Sequence, residues 1–218
     1  MTLRSKIGRV ARELRTCPAK VFVMRPIEYG EMPTRIGMQA SEKFGGSRPF
    51  NLMAWVECHR DELVPPVANK QVYADSRMIV MIVGGGNERS DYHDDPREEF
   101  FMQLKGDMIL KVRHSEGGPA EDMVIREGDV HLIPPHLRHS PQRPDVNSVG
   151  LVIEYQREPG ELDGFEWYCE NCNSLIHRVE VQIEHIDRDL PPLFEAFYAS
   201  IEDRTCDVCG VIHREPTS

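Results

Sequence analysis

Between Met78 and Tyr155 the chain is cut into short β-rich runs by turn-forming residues, and this punctuation limits the fold more than any other feature. Met78-Ile79-Val80-Met81-Ile82-Val83 stops at Gly84-Gly85-Gly86. Glu99 to Lys105 and Met108 to Val112 flank Gly106-Asp107, which is the pattern of a hairpin. Met123 to Arg126 and Val130 to Ile133 flank Glu127-Gly128-Asp129, and Val149 to Tyr155 reads as one more strand. Short strands at regular spacing with turns between them predict a mainly β chain, folded as a barrel or a double-sheet jelly roll. No solenoid repeat or low-complexity segment interrupts the pattern.

The flanks read differently and divide the chain into three stretches. Residues 1–45 form an N-terminal extension in which Arg4, Lys6, Arg9, Arg12, Arg15 and Lys20 face a single acid, Glu13. The spacing of Ile7, Val10 and Leu14 predicts a short amphipathic helix there. Residues 46–160 hold the barrel, entered by a helix over Phe50-Asn51-Leu52-Met53-Ala54-Trp55-Val56 that Pro65-Pro66 should end, because proline removes a donor and clashes with the preceding turn. Residues 161–218 form a small module with a strand over Val179 to Ile183 and a helix over Leu193 to Ile201.

Charge and hydropathy exclude several roles. The net charge of -10 argues against nucleic-acid binding, which needs a basic surface. No apolar run approaches the ~20 residues of a membrane span. No export leader is visible, so we expect a cytoplasmic protein. In a reducing compartment, the two C-x2-C pairs Cys169/Cys172 and Cys206/Cys209 point to a tetrahedral metal site of four thiolates rather than to disulfides. Sulfur ligands suit iron or zinc, and such a site would staple a module poor in apolar residues. Cys17 and Cys58 have no metal-like spacing.

The richest chemistry lies inside the barrel segment. One pattern runs Gly86-x6-His93-x5-Glu99-x6-Gly106 and a second runs Gly128-x5-Pro134-x-His136-x2-His139-x3-Arg143. Extended chain would carry His93 about 20 Å from Glu99 at ~3.3 Å per residue, so two ligands of one ion require a reversal, which Asp94-Asp95-Pro96 can supply. His93, Glu99 and His139 then offer two imidazoles and a carboxylate, a set suited to a non-haem Fe(II) with open positions for substrate and O2. Glu154 interrupts Leu151-Val152-Ile153, and a buried carboxylate needs a partner or a ligand. Arg89 and Arg143 each lie four residues from a ligand histidine, and an arginine fork recognises carboxylates in a bidentate way. His136 is placed to stand behind the ligands, while Arg138 has the opposite strand parity to His139 and reads as surface.

The two spacings resemble the paired motifs of cupins, with Asp95 where the first motif usually carries its second histidine. The fold class is therefore a cupin-type jelly-roll barrel with a C-terminal four-cysteine metal module and a short N-terminal helical extension. From Phe50 to about His213 the chain resembles bacterial 3-hydroxyanthranilate 3,4-dioxygenases more closely still. Carrying the resemblance are Pro65-Pro66-Val67-Ala68-Asn69, Asp91-Tyr92-His93-Asp94-Asp95-Pro96, Glu98-Glu99-Phe100-Phe101, Pro134-Pro135-His136, His139-Ser140-Pro141-Gln142-Arg143-Pro144 and Asp163-Gly164-Phe165-Glu166-Trp167-Tyr168-Cys169. The resemblance implies that His93, Glu99 and His139 hold Fe(II), and that Asn69, Arg89, Glu99, Arg143 and Glu154 line the substrate pocket. Among these, Arg89 and Glu154 would act catalytically, Arg89 on charge developing on dioxygen and Glu154 on the substrate amine. It also implies a rubredoxin-like metal site at Cys169, Cys172, Cys206 and Cys209, a homodimer, and ring opening of a small aromatic substrate by O2 to 2-amino-3-carboxymuconate semialdehyde, the precursor of quinolinate. Lys70 stands where arginine is expected, and Ser115 to Gly118 form a short insertion in a hairpin loop. Two other readings remain open: a dioxygenase for another carboxylated ortho-aminophenol, and a non-catalytic cupin that senses an aromatic ligand.

Overall fold

Eleven named strands make two antiparallel sheets among the residues that the computed structural model describes, which are 49–65, 68–74, 76–114, 118–184 and 186–215. The strands are β1 (Asn69–Gln71), β2 (Met78–Gly84), β3 (Asp91–Asp94), β4 (Glu99–Lys105), β5 (Met108–Arg113), β6 (Glu121–Ile125), β7 (Val130–Ile133), β8 (Arg138–Gln142), β9 (Val149–Tyr155), β10 (Asp163–Tyr168) and β11 (Leu175–Val181). The first sheet runs β1-β2-β9-β4-β7 and the second β11-β10-β3-β8-β5-β6. Neighbours along each sheet are mostly distant in sequence, as the jelly-roll expectation requires. The predicted N-terminal helix and most of the Ser115–Gly118 insertion lie outside the described residues.

Period-two alternation decides what each sheet buries. Ile79, Met81, Phe101, Ile133 and Val152 from the first sheet meet Met108, Leu110, Val112 and Ile125 from the second in one core. Gly106, at φ +63°, turns β4 into β5 in a conformation that a side chain would strain. The outer face of the first sheet is also apolar. Register aligns Val80, Ile153, Phe100 and Leu132 in one row and Ile82, Leu151, Met102 and Val130 in the next. Helix α1 (Leu52–Cys58) covers the Ile82 end, whereas Val130 and Leu132 are 58% and 52% exposed.

Several elements depart from expectation. Helix α1 starts under an Asn51 side-chain cap on Ala54 N and ends at Cys58, well before Pro65. Its stop is a backbone one, His59 N donating to the carbonyls of Trp55 and Val56, with a 3-10 turn over Arg60–Glu62 behind it. The C-terminal helix α2 (Ile186–Ala199) starts earlier than Leu193 and carries Pro191 and Pro192 inside it. Prolines there forfeit two backbone bonds, but Leu190, Leu193, Phe194 and Phe197 pack on Phe165 and Trp167 of β10, and that burial outweighs the loss. Ser200 then caps a last short helix, α3 (Ile201–Arg204). Strand β11 spans Leu175–Val181, shifted towards the N-terminus from the Val179–Ile183 pattern, because it registers Val181 against Asp163. Strand β10 bonds to β11 on one side and to β3 on the other, so the sheet runs unbroken from the barrel into the cysteine-bearing segment.

Candidate active site

Three strands deliver the three predicted metal ligands to one point. Strands β3 and β8 pair with His93 opposite His139, and β4 brings Glu99 in from the first sheet, in phase with buried Phe101. One ligand atom from each of His93, Glu99 and His139 falls within 4.8 Å of the others, and all three residues are buried. The Asp94-Asp95-Pro96 reversal between β3 and β4 makes this possible, as the spacing argument required.

The donor chemistry suits a cation. His139 Nδ1 lies 2.8 Å from the Leu137 carbonyl, an arrangement that puts the proton on Nδ1 and points the Nε2 lone pair into the site. Glu99 Oε2 sits 2.7 Å from that Nε2, buried and with no partner besides this imidazole. Burial resists ionisation of Glu99, but the adjacent His139 outweighs it and holds the carboxylate below its usual range. His139 shifts the opposite way: desolvation would lower it, but the adjacent Glu99 outweighs that and raises it. A nitrogen and an oxygen this close, with no other partner for the oxygen, fit a hard metal bound by imidazole and carboxylate. Phe165 stacks on the His93 ring at 4.9 Å between centroids and 2° between planes, and Phe101 meets His139 edge-on at 6.0 Å, so both rings are braced by the core.

Around the ligands the remaining predicted residues take different positions. Arg143 is 1% exposed, and its Nε and Nη2 have no hydrogen-bond partner. Burial lowers its pKa to about 10, with Glu99 opposing the shift and Arg89 adding to it. Its guanidinium lies against Gly150 of β9, where a Cβ would come within 2.5 Å of Nη2. Glu154 pairs across the sheet with Glu99 and is 3% exposed; burial, and then the Glu99 charge, push it up to about 7. Arg89 is engaged by Asp91, a partner that sequence reasoning missed. Asn69 sits on the edge strand β1, in the register row that runs through Val83 to Gly150. His136 adopts φ +63° and turns its 62% exposed side chain to Asp94, away from the ligands. Arg138 lies outside the barrel, as its parity implied, beside Asp94 and Glu166.

Two further residues were not singled out by sequence. Asp163 Oδ1 lies 2.7 Å from His93 Nε2. Arg157 donates from Nε to both Asp163 oxygens, at 3.0 and 2.9 Å, and from Nη2 to Asp95 and Glu154, each at 2.8 Å. His93, Asp95 and Asp163 also come close enough to hold an ion, but the Arg157 guanidinium already supplies the cation there. Asp95, which stands where the first motif usually carries its second histidine, is thus a partner of Arg157 and of the Arg97 backbone N–H. Asp163 was legible in principle from its period-two phase with Phe165 and Trp167; Arg157, beyond the end of β9, carries no such signal.

A second cluster gathers Cys169, Cys172, Cys206 and Cys209. Sγ–Sγ separations of 3.5 Å (Cys169 to Cys209) and 3.6 Å (Cys172 to Cys206) are close to the ~3.8 Å edge of a tetrahedron with ~2.3 Å metal–sulfur bonds. The two C-x2-C loops repeat one backbone design. Cys169 N bonds Ser174 O and Asn173 N returns to Cys169 O, while Cys206 N bonds Val211 O and Gly210 N returns to Cys206 O. Asn173 and Gly210 close these loops at φ +62° and +74°. No helix among the described residues is long and apolar enough to cross a membrane.

Comparison with known proteins places the chain in a family. The family model described as 3-hydroxyanthranilic acid dioxygenase matches residues 44–198. Curated relatives named 3-hydroxyanthranilate 3,4-dioxygenase from Jannaschia sp. and Ruegeria pomeroyi are each 56% identical over 77% of this chain and 93% of their own. One of the same name from Shewanella woodyi is 53% identical over 77% of this chain and 88% of its own. Among solved structures, a cupin-2 domain containing protein from Shewanella frigidimarina is 14% identical with a TM-score of 0.39, over 56% of this chain and 100% of its own, a likeness too distant to bear on function.

Proposed function

The chain belongs to the 3-hydroxyanthranilic acid dioxygenase family, and from that premise we propose that it opens the ring of 3-hydroxyanthranilate with O2 to give 2-amino-3-carboxymuconate semialdehyde. The observation that carries the reading to the substrate is Arg143: a buried guanidinium with unpartnered nitrogens, beside the ligand trio, asks for an anion. An aromatic carboxylate supplies one in the planar geometry that an arginine fork matches.

We assign the metal site to His93, Glu99 and His139 and its metal to Fe(II), whose hard, open coordination sphere would accept an ortho-aminophenol and O2 and let the two exchange electrons. Each neighbouring side chain then has a task of its own. Arg143 binds the substrate carboxylate and fixes the ring's orientation. Glu154, poised near neutrality by burial, holds the amine and can take its proton. Arg89, its side chain fixed by Asp91 and its backbone N–H and carbonyl both bonded by the Gln142 side chain, lends positive charge where negative charge grows on oxygen. Phe101 and Phe165 keep water from the ligand rings. Asn69 contributes from the pocket edge.

We assign the four thiolates to iron or zinc in a structural role, and reduced thiols suit a cytoplasmic setting. The assembly we propose is a homodimer that buries the apolar outer face of the first sheet around Val130 and Leu132, which are both more than half exposed. Oxygen uptake by protein loaded anaerobically with Fe(II) tests the activity. One O2 consumed per 3-hydroxyanthranilate, lost in His93→Ala, is the expected result. Binding of substrate without uptake would refute the enzyme reading in favour of a sensor. Uptake with other ortho-aminophenols alone would refute the substrate.

A further inference from the structure

We propose that Arg157 is a positioning residue that holds the metal side and the substrate side of the site in register through a single guanidinium. Three carboxylates converge on it, and each leads elsewhere. Asp163 accepts from Arg157 Nε with both oxygens and from Nη2 with Oδ1, and it abuts the His93 ring. Glu154 takes Nη2 and faces the substrate pocket. Asp95 takes the same Nη2 and, through its other oxygen, the Arg97 backbone N–H at the turn between β3 and β4. The remaining nitrogen, Nη1, donates to Tyr155 O at 2.7 Å and ties the group to the end of β9.

The network is dry. The side chains of Arg157, Asp95 and Glu154 are each 2% exposed and that of Asp163 is 0% exposed. In such surroundings an ion pair is weakly screened, and its geometry is held by the directions of its bonds. One rigid fork therefore sets the angle of His93 through Asp163 and the reach of Glu154 directly. Partners standing behind metal ligands commonly change metal affinity by ~10- to 100-fold when removed, because they fix the orientation and tautomer of the ring. A lysine in this place would keep the charge but not the planar fork.

The inference rests on reading His93 as a metal ligand, and Mn(II) titration followed by electron paramagnetic resonance tests the two apart. Mn(II) prefers nitrogen and oxygen donors, so it reports this site while zinc fills the four thiolates. Full-length wild type should bind Mn(II), and His139→Ala should not; failure here would sink the ligand reading itself. Given that binding, Arg157→Lys and Asp163→Asn should each weaken Mn(II) affinity by at least ~10-fold. Thermal midpoints should fall far less than that loss implies. Arg157→Lys should also raise KM for 3-hydroxyanthranilate, through Glu154, more than Asp163→Asn does. Wild-type affinity in both variants overturns the inference, as does a loss that only tracks the unfolded fraction. Should Arg157→Lys fail to fold, Asp163→Asn decides alone; collapse of both overturns the inference too, since the network would then serve the fold rather than the site.

Discussion

Replacing Gly150 by alanine should damage carboxylate recognition without touching a ligand or the guanidinium itself. The added Cβ would stand 2.5 Å from Arg143 Nη2 and 3.1 Å from both Cζ and Nε. Reaching ordinary contact at 3.4 Å requires the guanidinium to retreat by about 0.9 Å. Arg143 is 1% exposed, so it cannot swing into solvent. The alternative, bending β9 away from β2 and β4, falls in the ~1–3 kcal/mol range of overpacked cores. A misplacement of roughly 1 Å in a substrate clamp can cost about 10²-fold, which is about 2.7 kcal/mol of transition-state stabilisation. Oxygen-uptake kinetics should therefore show kcat/KM for 3-hydroxyanthranilate down by about 10²-fold, with KM carrying much of the loss. The internal control is 2-aminophenol, which lacks the carboxylate; its rate of oxygen uptake in the variant should stay within about twofold of wild type on the same reasoning. An equal loss on both substrates would refute it, because Gly150 would then be disturbing the metal site or the barrel and not the clamp.

Other outcomes follow from the same geometry. Glu99→Gln, which keeps the shape and removes the charge, should lose metal by at least ~10²-fold in a chelator competition, since a hard dication depends on the carboxylate. Cys206→Ser should lower the thermal midpoint measurably and release one equivalent of iron or zinc by elemental analysis, with oxygen uptake per folded molecule falling less than the folded fraction does. Chelation of the His/Glu metal should abolish uptake and leave the far-ultraviolet circular dichroism unchanged, with Fe(II) restoring the rate. Val130→Lys with Leu132→Lys should convert a dimer to a monomer by sedimentation equilibrium, as both side chains are more than half exposed and need not disturb the core.

What the sequence made legible follows from how strands announce themselves. Strands β2, β4, β5 and β9 alternate apolar and polar residues or run apolar throughout, so burial writes their positions into the chain. Strands β3 and β8 carry Asp-Tyr-His-Asp and Arg-His-Ser-Pro-Gln, yet they are largely or wholly buried. No strand is legible there because what they bury is the candidate site, and its polarity hides them from any hydrophobic periodicity. The candidate ligands were nevertheless visible, because motif spacing does not depend on apolar patterning. Arg157 was invisible for the opposite reason: its partners come from the segments around residues 95, 154 and 163, and only the fold brings them together. The early start of α2 was hidden by Pro191-Pro192, whose local cost is overridden by packing on Trp167 and Phe165.

Strand β10 has a practical consequence for anyone dividing this protein. It carries Asp163 and Phe165 against His93 at one end and leads directly into Cys169 at the other, while its edge bonds to β3. A fragment cut before Asp163 would leave β3 as an open edge, strip the stacking partner from a ligand ring and expose a seam ready to pair with other chains. Shuffling cysteine segments between relatives should therefore exchange them after Tyr168, keeping the strand with its barrel, or transplant strand and segment together.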